Sequence, residues 1–111
     1  MIDNENPPVI EFDREEFDFG IIAQGEQVYH VFNLKNVGKS DLIISDIKTT
    51  CGCTAPKNWP KEPIPPGEGA EIEVQYDGSG NGLVKKLITV SSNAKPAHNK
   101  LYLKGKVVGP E

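Results

Sequence analysis

The clearest indication of the fold is the stretch Val28-Tyr29-His30-Val31-Phe32-Asn33-Leu34. It is rich in β-branched and aromatic residues, and its apolar members recur with a period of two, which is typical of a β-strand. Because successive side chains of a strand point to opposite faces, one face is predicted to turn towards a hydrophobic core. That face carries Val28, His30, Phe32 and Leu34.

Shorter segments with strand character lie on both sides of this stretch, and clusters of glycine, proline and asparagine separate them. No segment shows the 3.6-residue period of a helix. The proline-rich residues 54–69 are predicted to form a loop, because proline is unsuited to helices and to central strands. About seven short strands with frequent turns predict an all-β fold, an immunoglobulin-like antiparallel β-sandwich. The strands are predicted within residues 9–12, 17–22, 28–34, 42–47, 70–76, 83–90 and 101–107.

The chain has 111 residues and a mass of 12.1 kDa, which is enough for a single domain. We expect a flexible leader at residues 1–8, the sandwich at residues 9–108 and a tail at residues 109–111. The net charge of -4 argues against nucleic acid as the main partner, since phosphate binding needs a basic face. Apolar runs are only a few residues long, so no transmembrane segment is predicted.

Several motifs in residues 12–108 match those of a known family, and Cys51-Gly52-Cys53-Thr54 is the most specific of them. Through these motifs the chain resembles the DUF1573 family. The other matching motifs are Phe17-x-Phe19-Gly20-x-Ile22-x-x-Gly25-Glu26, Val28-x-His30-x-Phe32-x-Leu34-x-Asn36-x-Gly38, Leu42-x-Ile44, Pro66-Gly67-Glu68, Ile88-x-Val90-x-Ser92-Asn93 and Leu101-x-Leu103-x-Gly105.

The resemblance implies an immunoglobulin-like sandwich related to the domains of major sperm protein and of cilium- or centrosome-associated proteins. It also implies a bacterial, often Bacteroidetes, origin and frequent export, commonly as a lipoprotein. It implies no activity, because the function of the family is unknown.

Cys51-Gly52-Cys53 is the chemically unusual element of the sequence. In an extended strand the Cα atoms of residues two apart are about 6.6 Å apart, at the upper end of the range that a disulfide accepts. Such a bridge would close a very small loop and contribute about 1.6 kcal/mol before strain. The two thiolates also suit Cu(I), whereas a spacing of one residue does not suit zinc. Three interpretations stay open: a packing pair, a thiol-redox site and a copper site.

The cysteine pair is expected at the exit of the strand that starts near Leu42, with at least one sulfur buried beside the loop that carries Trp59. Trp59 is itself a candidate binding residue or a lid over the end of the core. His30 is expected to be a hydrogen-bonded core residue. If residues 28–49 form a hairpin, His30 lies opposite Ile47, too far from Cys51 to share a ligand.

The remaining titratable clusters give no catalytic pattern. His98 is expected in a polar loop at residues 91–100, exposed to solvent. The acidic residues are expected to form a solvated face, because no calcium-loop motif contains them. They are Asp13, Glu15, Glu16 and Asp18.

These patterns predict a non-enzymatic binding or interaction module that is exported in a bacterium and displays loops or sheet edges to a partner. Another protein or a cell-envelope component is the expected partner, with a lipid anchor on the full-length precursor as one option. No cofactor or metal is predicted, and the localisation is expected to be periplasmic or at the cell surface. The alternative is a thiol-redox or copper-handling protein that uses Cys51 and Cys53.

Overall fold

The computed structural model describes residues 7–50 and 54–109, and within them every regular element is a β-strand. No helix in this part of the chain is long and apolar enough to span a membrane. The strands are β1 (Ile10–Phe12), β2 (Glu16–Ala23), β3 (Val28–Asn36), β4 (Ile44–Thr49), β5 (Thr54–Asn58), β6 (Gly69–Tyr76), β7 (Gly82–Ser92) and β8 (His98–Val108).

The strands form two four-stranded sheets, one in the order β1-β3-β6-β5 and the other in the order β2-β8-β7-β4. This confirms the predicted immunoglobulin-like sandwich. The sheets are not wholly antiparallel as expected, because β2 pairs with β8 in parallel. The two strands belong to opposite ends of the chain, so no tight turn forces them to run in opposite directions.

One strand lies where the sequence predicts only a loop. β5 occupies the start of the proline-rich stretch and pairs with β6 at the edge of its sheet. Pro56 has no backbone N–H donor. It is compatible with an edge strand because one side of such a strand forms no hydrogen bonds within the sheet. The register shifts between Pro56 and Asn58, which ends the regular pairing. The described residues therefore contain eight strands instead of about seven.

The predicted polar loop at residues 91–100 is shorter in the structure. β7 continues to Ser92 and β8 begins at His98, so the connection covers only residues 93–97. His98 is exposed as predicted, but it lies on a strand, where its Nδ1 is 3.0 Å from the Ser91 Oγ. Cross-strand pairing with Ser91 extends the ladder into a stretch whose side chains are polar.

The core lies between the sheets and follows the predicted alternation. On β3, Val28, Phe32 and Leu34 are buried; β6 extends this layer in the same sheet, and β7 and β8 of the other sheet supply the facing layer. Residues along the buried faces are spaced by two, which is the strand period. The buried residues from those three strands are Ile72, Val74, Tyr76, Ile88, Val90, Leu101, Leu103 and Val107.

β3 and β4 belong to different sheets, so the chain crosses the sandwich between them instead of closing a hairpin. His30 consequently lies opposite Val74 of β6 and not opposite Ile47. The hairpin register considered from the sequence is wrong. A bridge between Leu42 and Ile64 holds the crossing segment against the proline-rich stretch.

Asn36 lies at the end of the sandwich where the chain crosses between the sheets, and its hydrogen bonds hold the segments there together. Its side chain is fully buried, and its Nδ2 donates to the carbonyls of Ser40 (2.8 Å) and Ile64 (2.9 Å). Its Oδ1 accepts from the backbone N–H of Gly38 at 3.0 Å. Pro8, which the sequence assigns to the leader, is also fully buried here. A Cβ on Gly38 would overlap the backbone of Pro8, so the close approach requires glycine.

Candidate functional site

Cys51, Gly52 and Cys53 lie outside the described residues. On one side of them β4 ends at Thr49, and on the other side β5 begins at Thr54. The Thr49 hydroxyl donates to the Thr54 carbonyl at 2.8 Å, which ties the two flanking strands together. The packing, redox and copper interpretations of the cysteines stay predictions.

Trp59 is half-buried and packs against the hydrophobic core. The Nζ of Lys61 lies 3.0 Å from the centroid of the indole ring, in a cation–π arrangement. One face of the ring is therefore occupied by the chain's own lysine. The assignment of Trp59 as a binding or lid residue stays a prediction.

His30 lies between the two sheets in an aromatic stack. Its ring is parallel to that of Phe17, with centroids 3.8 Å apart, and edge-on to that of Phe32 at 4.5 Å. Burial lowers the pKa of His30, and the positive charge of Arg14 lowers it further, against the opposing effect of Asp13. Its Nε2 is buried and has no hydrogen-bond partner among the described residues. The predicted core position is correct, but the expected hydrogen bond is replaced by aromatic stacking.

The acidic residues near the start of β2 do not converge on a cation site. Asp13 instead accepts hydrogen bonds from the backbone and side chain of Asn33. Glu16 is paired with Lys104 at 2.7 Å. Among residues 7–50 and 54–109, no three His, Cys, Asp or Glu side chains come close enough to hold a metal ion.

All four edge strands of the described sheets carry features that discourage the addition of another strand. β1 has three residues. β2 has a register shift between Asp18 and Ile21, and β4 has one between Ile44 and Asp46. β5 contains Pro56 as well as a register shift. Because sheet edges are blunted in this way, a partner is better accommodated on a sheet face than by strand addition.

The outer face of the β2-β8-β7 sheet contains a groove of about 410 Å³. The irregularity in β2 creates it. The Asp18 carboxylate accepts a hydrogen bond from the Gly20 N–H at 2.8 Å, and Gly20 adopts a φ of 80° that favours glycine. The Phe19 ring turns inward beside Tyr76, at a centroid distance of 5.6 Å. A Cβ on Gly105 would overlap that ring, so glycine is also required there.

Two aliphatic side chains form the walls of the groove and are unusually exposed. Ile21 of β2 is 74% exposed and Leu83 of β7 is 87% exposed. Both lie beside Lys106 of the central strand, which pairs with each of them. A further apolar residue, Val108, is 46% exposed at the same end. Exposed aliphatic side chains grouped in this way mark an interaction surface more often than scattered ones do.

Lysines surround these aliphatic walls. Lys85, Lys104 and Lys106 line the groove, with Asp18 as the one acidic residue among the described lining residues. A hydrogen bond from Lys104 lowers the pKa of Glu16, and the same bond raises the pKa of Lys104. Lys85 lies over the Tyr102 ring at 4.6 Å. The groove is therefore apolar at its walls and positively charged around them, although the whole chain is acidic.

Sequence reasoning did not find this groove. The signal was present in β7, where both faces contain apolar residues, so that Leu83 and Leu87 alternate with the core positions Ile88 and Val90. One outward leucine is common on protein surfaces, but Leu83 grouped with Ile21 forms an exposed apolar patch of the kind that marks an interaction surface. The irregularity that turns Ile21 outward could not be read from the alternation alone, because a bulge changes which residues face outward.

The fold and the groove together define a class: an immunoglobulin-like β-sandwich domain with a cationic, partly apolar sheet face. Within that class, the chain matches the model of a protein family of unknown function, DUF1573, over residues 10–107. The chain belongs to that family, as the sequence motifs indicated. No curated protein sequence matches it.

Solved structures with low sequence identity share the fold. A protein of unknown function from Porphyromonas gingivalis W83 has a TM-score of 0.75 and 18% identity, covering 89% of this chain and 46% of that one. The secreted serine protease VesC from Vibrio cholerae has a TM-score of 0.73 and 16% identity, covering 89% of this chain and 23% of that one. The chain thus spans less than half of each of these proteins.

A third neighbour is matched over most of its length. The ASH/PapD-like domain 7 of human CEP192 has a TM-score of 0.70 and 13% identity, covering 92% of this chain and 87% of that domain. The three neighbours have different descriptions, so the shared fold does not specify an activity.

Proposed function

We propose that this chain is a non-enzymatic interaction module that binds another protein or a cell-envelope component through the groove on the β2-β8-β7 face. The observation that carries the proposal is the pair of exposed aliphatic residues, Ile21 and Leu83, within a ring of lysines. Fully burying one such side chain contributes about 1.5–3 kcal/mol. The pair therefore represents a large part of the free energy that a modest complex needs.

The lysines supply selectivity for the partner. Opposite charges across an interface accelerate association and disfavour partners of like charge. The groove accordingly favours a surface that carries carboxylates around an apolar residue. The blunted sheet edges favour binding through this face.

We further propose that the protein is exported and acts in the periplasm or at the cell surface. Membership of the family supports this, since the sequence motifs resemble those of proteins that are often exported. One structural neighbour is described as a secreted protease, which supports the use of this fold outside the cell. Fractionation of the source cells, followed by antibody detection, should find the protein in the envelope or the medium. Detection only in the cytosol would contradict export.

Site-specific photocrosslinking in the source cells tests the binding face. A photoreactive residue replaces Leu83 in one variant and Ile43 in a matched control. Ile43 is a suitable control because it is 45% exposed and does not line the groove. We expect a discrete crosslinked product from position 83 and none from position 43. Equal products at both positions, or none at 83, would contradict the proposal.

A further inference from the structure

We propose that the groove binds a second copy of this chain, which presents the outer face of its β3-β6 pair. This inference rests on the proposed function of the groove. The partner is this chain itself, so the structure describes both surfaces of the contact. The sandwich has two outer faces, and they differ in charge.

On the outer face of β3, Tyr29 and Val31 form a short apolar strip that is followed by Asn33 and Lys35, while β6 carries two glutamates on the same face. Tyr29 of β3 is 58% exposed, although its hydroxyl donates to the Gln27 side chain at 2.9 Å. Its neighbour on the same face, Val31, lies opposite Glu73 of β6. Glu71 continues the acidic row and lies opposite Asn33. This acidic face therefore carries two carboxylates beside an apolar strip.

The groove presents the complementary arrangement. Lys104 is paired with Glu16, whereas Lys106 and Lys85, which lies over the Tyr102 ring, form no salt bridge among the described residues. Lys85 pairs with Lys104 and Leu83 pairs with Lys106, so Lys85 and Lys106 are diagonal neighbours in the antiparallel ladder. Diagonal neighbours are about 7–8 Å apart. Glu71 and Glu73 are two residues apart on one strand, which separates them by about 6.8 Å. The backbone spacing of the two lysines is thus close to that of the two glutamates, and the flexible lysine side chains can bring their charges to the carboxylates.

The apolar elements match in the same way. Ile21 and Leu83 stand on either side of Lys106, which pairs with both of them and lines the groove between them. An aromatic side chain suits such a site, because it buries a large apolar area with little loss of conformational freedom. Tyr29 of a second copy is the exposed aromatic residue next to the acidic row. Seated in the groove, it would place Glu71 and Glu73 near Lys85 and Lys106.

The two faces belong to opposite sheets, so one copy can use both at once. Contacts between unlike faces are heterologous and propagate unless a rotation closes them into a ring. We therefore expect a concentration-dependent series of stacked copies and not a single symmetric dimer. Because the contact depends on exposed charges, it should weaken as salt shortens the screening length.

Sedimentation velocity of the purified chain, across a concentration series at low and high salt, tests this inference. Four samples are compared: wild type, Lys85→Glu/Lys106→Glu, Glu71→Lys/Glu73→Lys, and an equimolar mixture of the two variants. Wild type should show a mass that rises beyond the dimer with concentration at low salt. Each variant alone should remain a monomer, because its two faces then carry the same sign of charge. The mixture should associate again, since each face meets one of opposite charge.

The variant Lys39→Glu/Lys95→Glu is the matched control. It has the same change in net charge as Lys85→Glu/Lys106→Glu, but both lysines are exposed and lie outside the groove. It should associate like wild type. Wild type that remains a monomer at every concentration, or a mixture that does not regain association, would overturn self-association.

The photocrosslinking experiment separates this result from the proposed function. A product at position 83 that contains only this chain supports both. A product with a different protein supports the binding role of the groove and overturns its assignment to a second copy. No product at position 83 overturns the binding role itself.

Discussion

Asn36 and Leu83 lie towards opposite ends of the sandwich and show two different uses of a residue. Asn36 has a polar side chain that is fully buried, and both its Nδ2 donor and its Oδ1 acceptor form hydrogen bonds. Leu83 is an apolar side chain that is 87% exposed. The first arrangement stabilises the fold, since an unpaired buried polar group would be costly. The second adds little to the fold and is explained by a partner.

The same contrast applies to the family motifs. Motif residues such as Asn36, Gly38 and Gly105 meet specific requirements of packing or backbone approach. Of the residues that form the binding surface, Ile21 occupies an unspecified position within a motif and Leu83 lies between motifs. Membership of the family therefore predicts how the chain folds, whereas the groove residues must be examined to learn what it binds.

The largest expected effect is the loss of stability on Asn36→Ala. The substitution leaves the Ile64 and Ser40 carbonyls and the Gly38 N–H without their side-chain partner. The Ile64 carbonyl still accepts from the Leu42 N–H, so two of the three groups lose a hydrogen bond that nothing replaces. At about 1–3 kcal/mol for each of them, we expect a total loss of at least about 2 kcal/mol in urea unfolding. The exposed Asn33→Ala is the control and should cost less than about 1 kcal/mol. Similar losses for the two variants would contradict the role of Asn36.

The cysteine pair gives the next prediction, on the packing interpretation. Replacing Cys51 and Cys53 with serine places hydroxyls in an apolar site and should cost roughly 1–3 kcal/mol per unpaired buried hydroxyl. Replacing both with alanine should cost less, because alanine leaves only a small cavity. Thermal melts of the two double variants measure the difference. If Cys→Ser melts like wild type and both thiols react quickly in the native protein, the redox or copper interpretation is favoured.

Gly105→Ala should cost about 1–3 kcal/mol, because the new methyl group displaces the Phe19 ring. The same displacement should distort the groove and weaken any association through it. The double variant Gly105→Ala/Phe19→Leu relieves the overlap with the ring but not the overlap with the Gly20 carbonyl, so it should recover part of the stability. Chemical denaturation of the single and double variants checks this coupling. Additive losses would show that Phe19 does not restrict position 105.

The lowered pKa of His30 predicts a smaller effect on stability, which depends on pH. Its burial lowers its pKa below the ordinary 6.5, so the unfolded chain takes up a proton at higher pH than the folded one does. The contribution of neutral His30 to stability is fully present when the pH is above the pKa of His30 in the unfolded chain. It is lost as the pH falls through the pKa of His30 in the folded chain. The free energy of unfolding should therefore decrease on acidification below about pH 6.5. His30→Gln should remove that component, and a parallel decrease in both proteins would contradict it.

Much of the fold follows from the sequence because the strand period is local. The alternation in β3 and β6 correctly separates core positions from exposed ones, as shown by Phe32 and Val74. The pairing of strands is less local. β2 and β8 come from opposite ends of the chain, and their parallel pairing depends on the whole sandwich. The hairpin register for His30 failed for the same reason, since β3 pairs with β6 instead.

The groove was harder to predict because it depends on one local irregularity and three strands. The Gly20 turn is suggested by its glycine, but the position of the Phe19 ring depends on the empty space above Gly105. That space becomes apparent only after β2 is placed beside β8. Cys51 and Cys53 are conspicuous in the sequence because of their unusual chemistry, whereas exposed aliphatic residues are harder to recognise there.

Leu83→Glu tests the central claim most directly, because it separates binding from stability. Leu83 makes little contact with the core, so its replacement should change the free energy of unfolding by less than about 0.5 kcal/mol. A carboxylate at this position should repel the carboxylates of the acidic face and abolish the association seen by sedimentation. The account predicts unchanged urea unfolding together with a monomer at every concentration at which wild type associates. Association like that of wild type, whether or not the variant is destabilised, would contradict it.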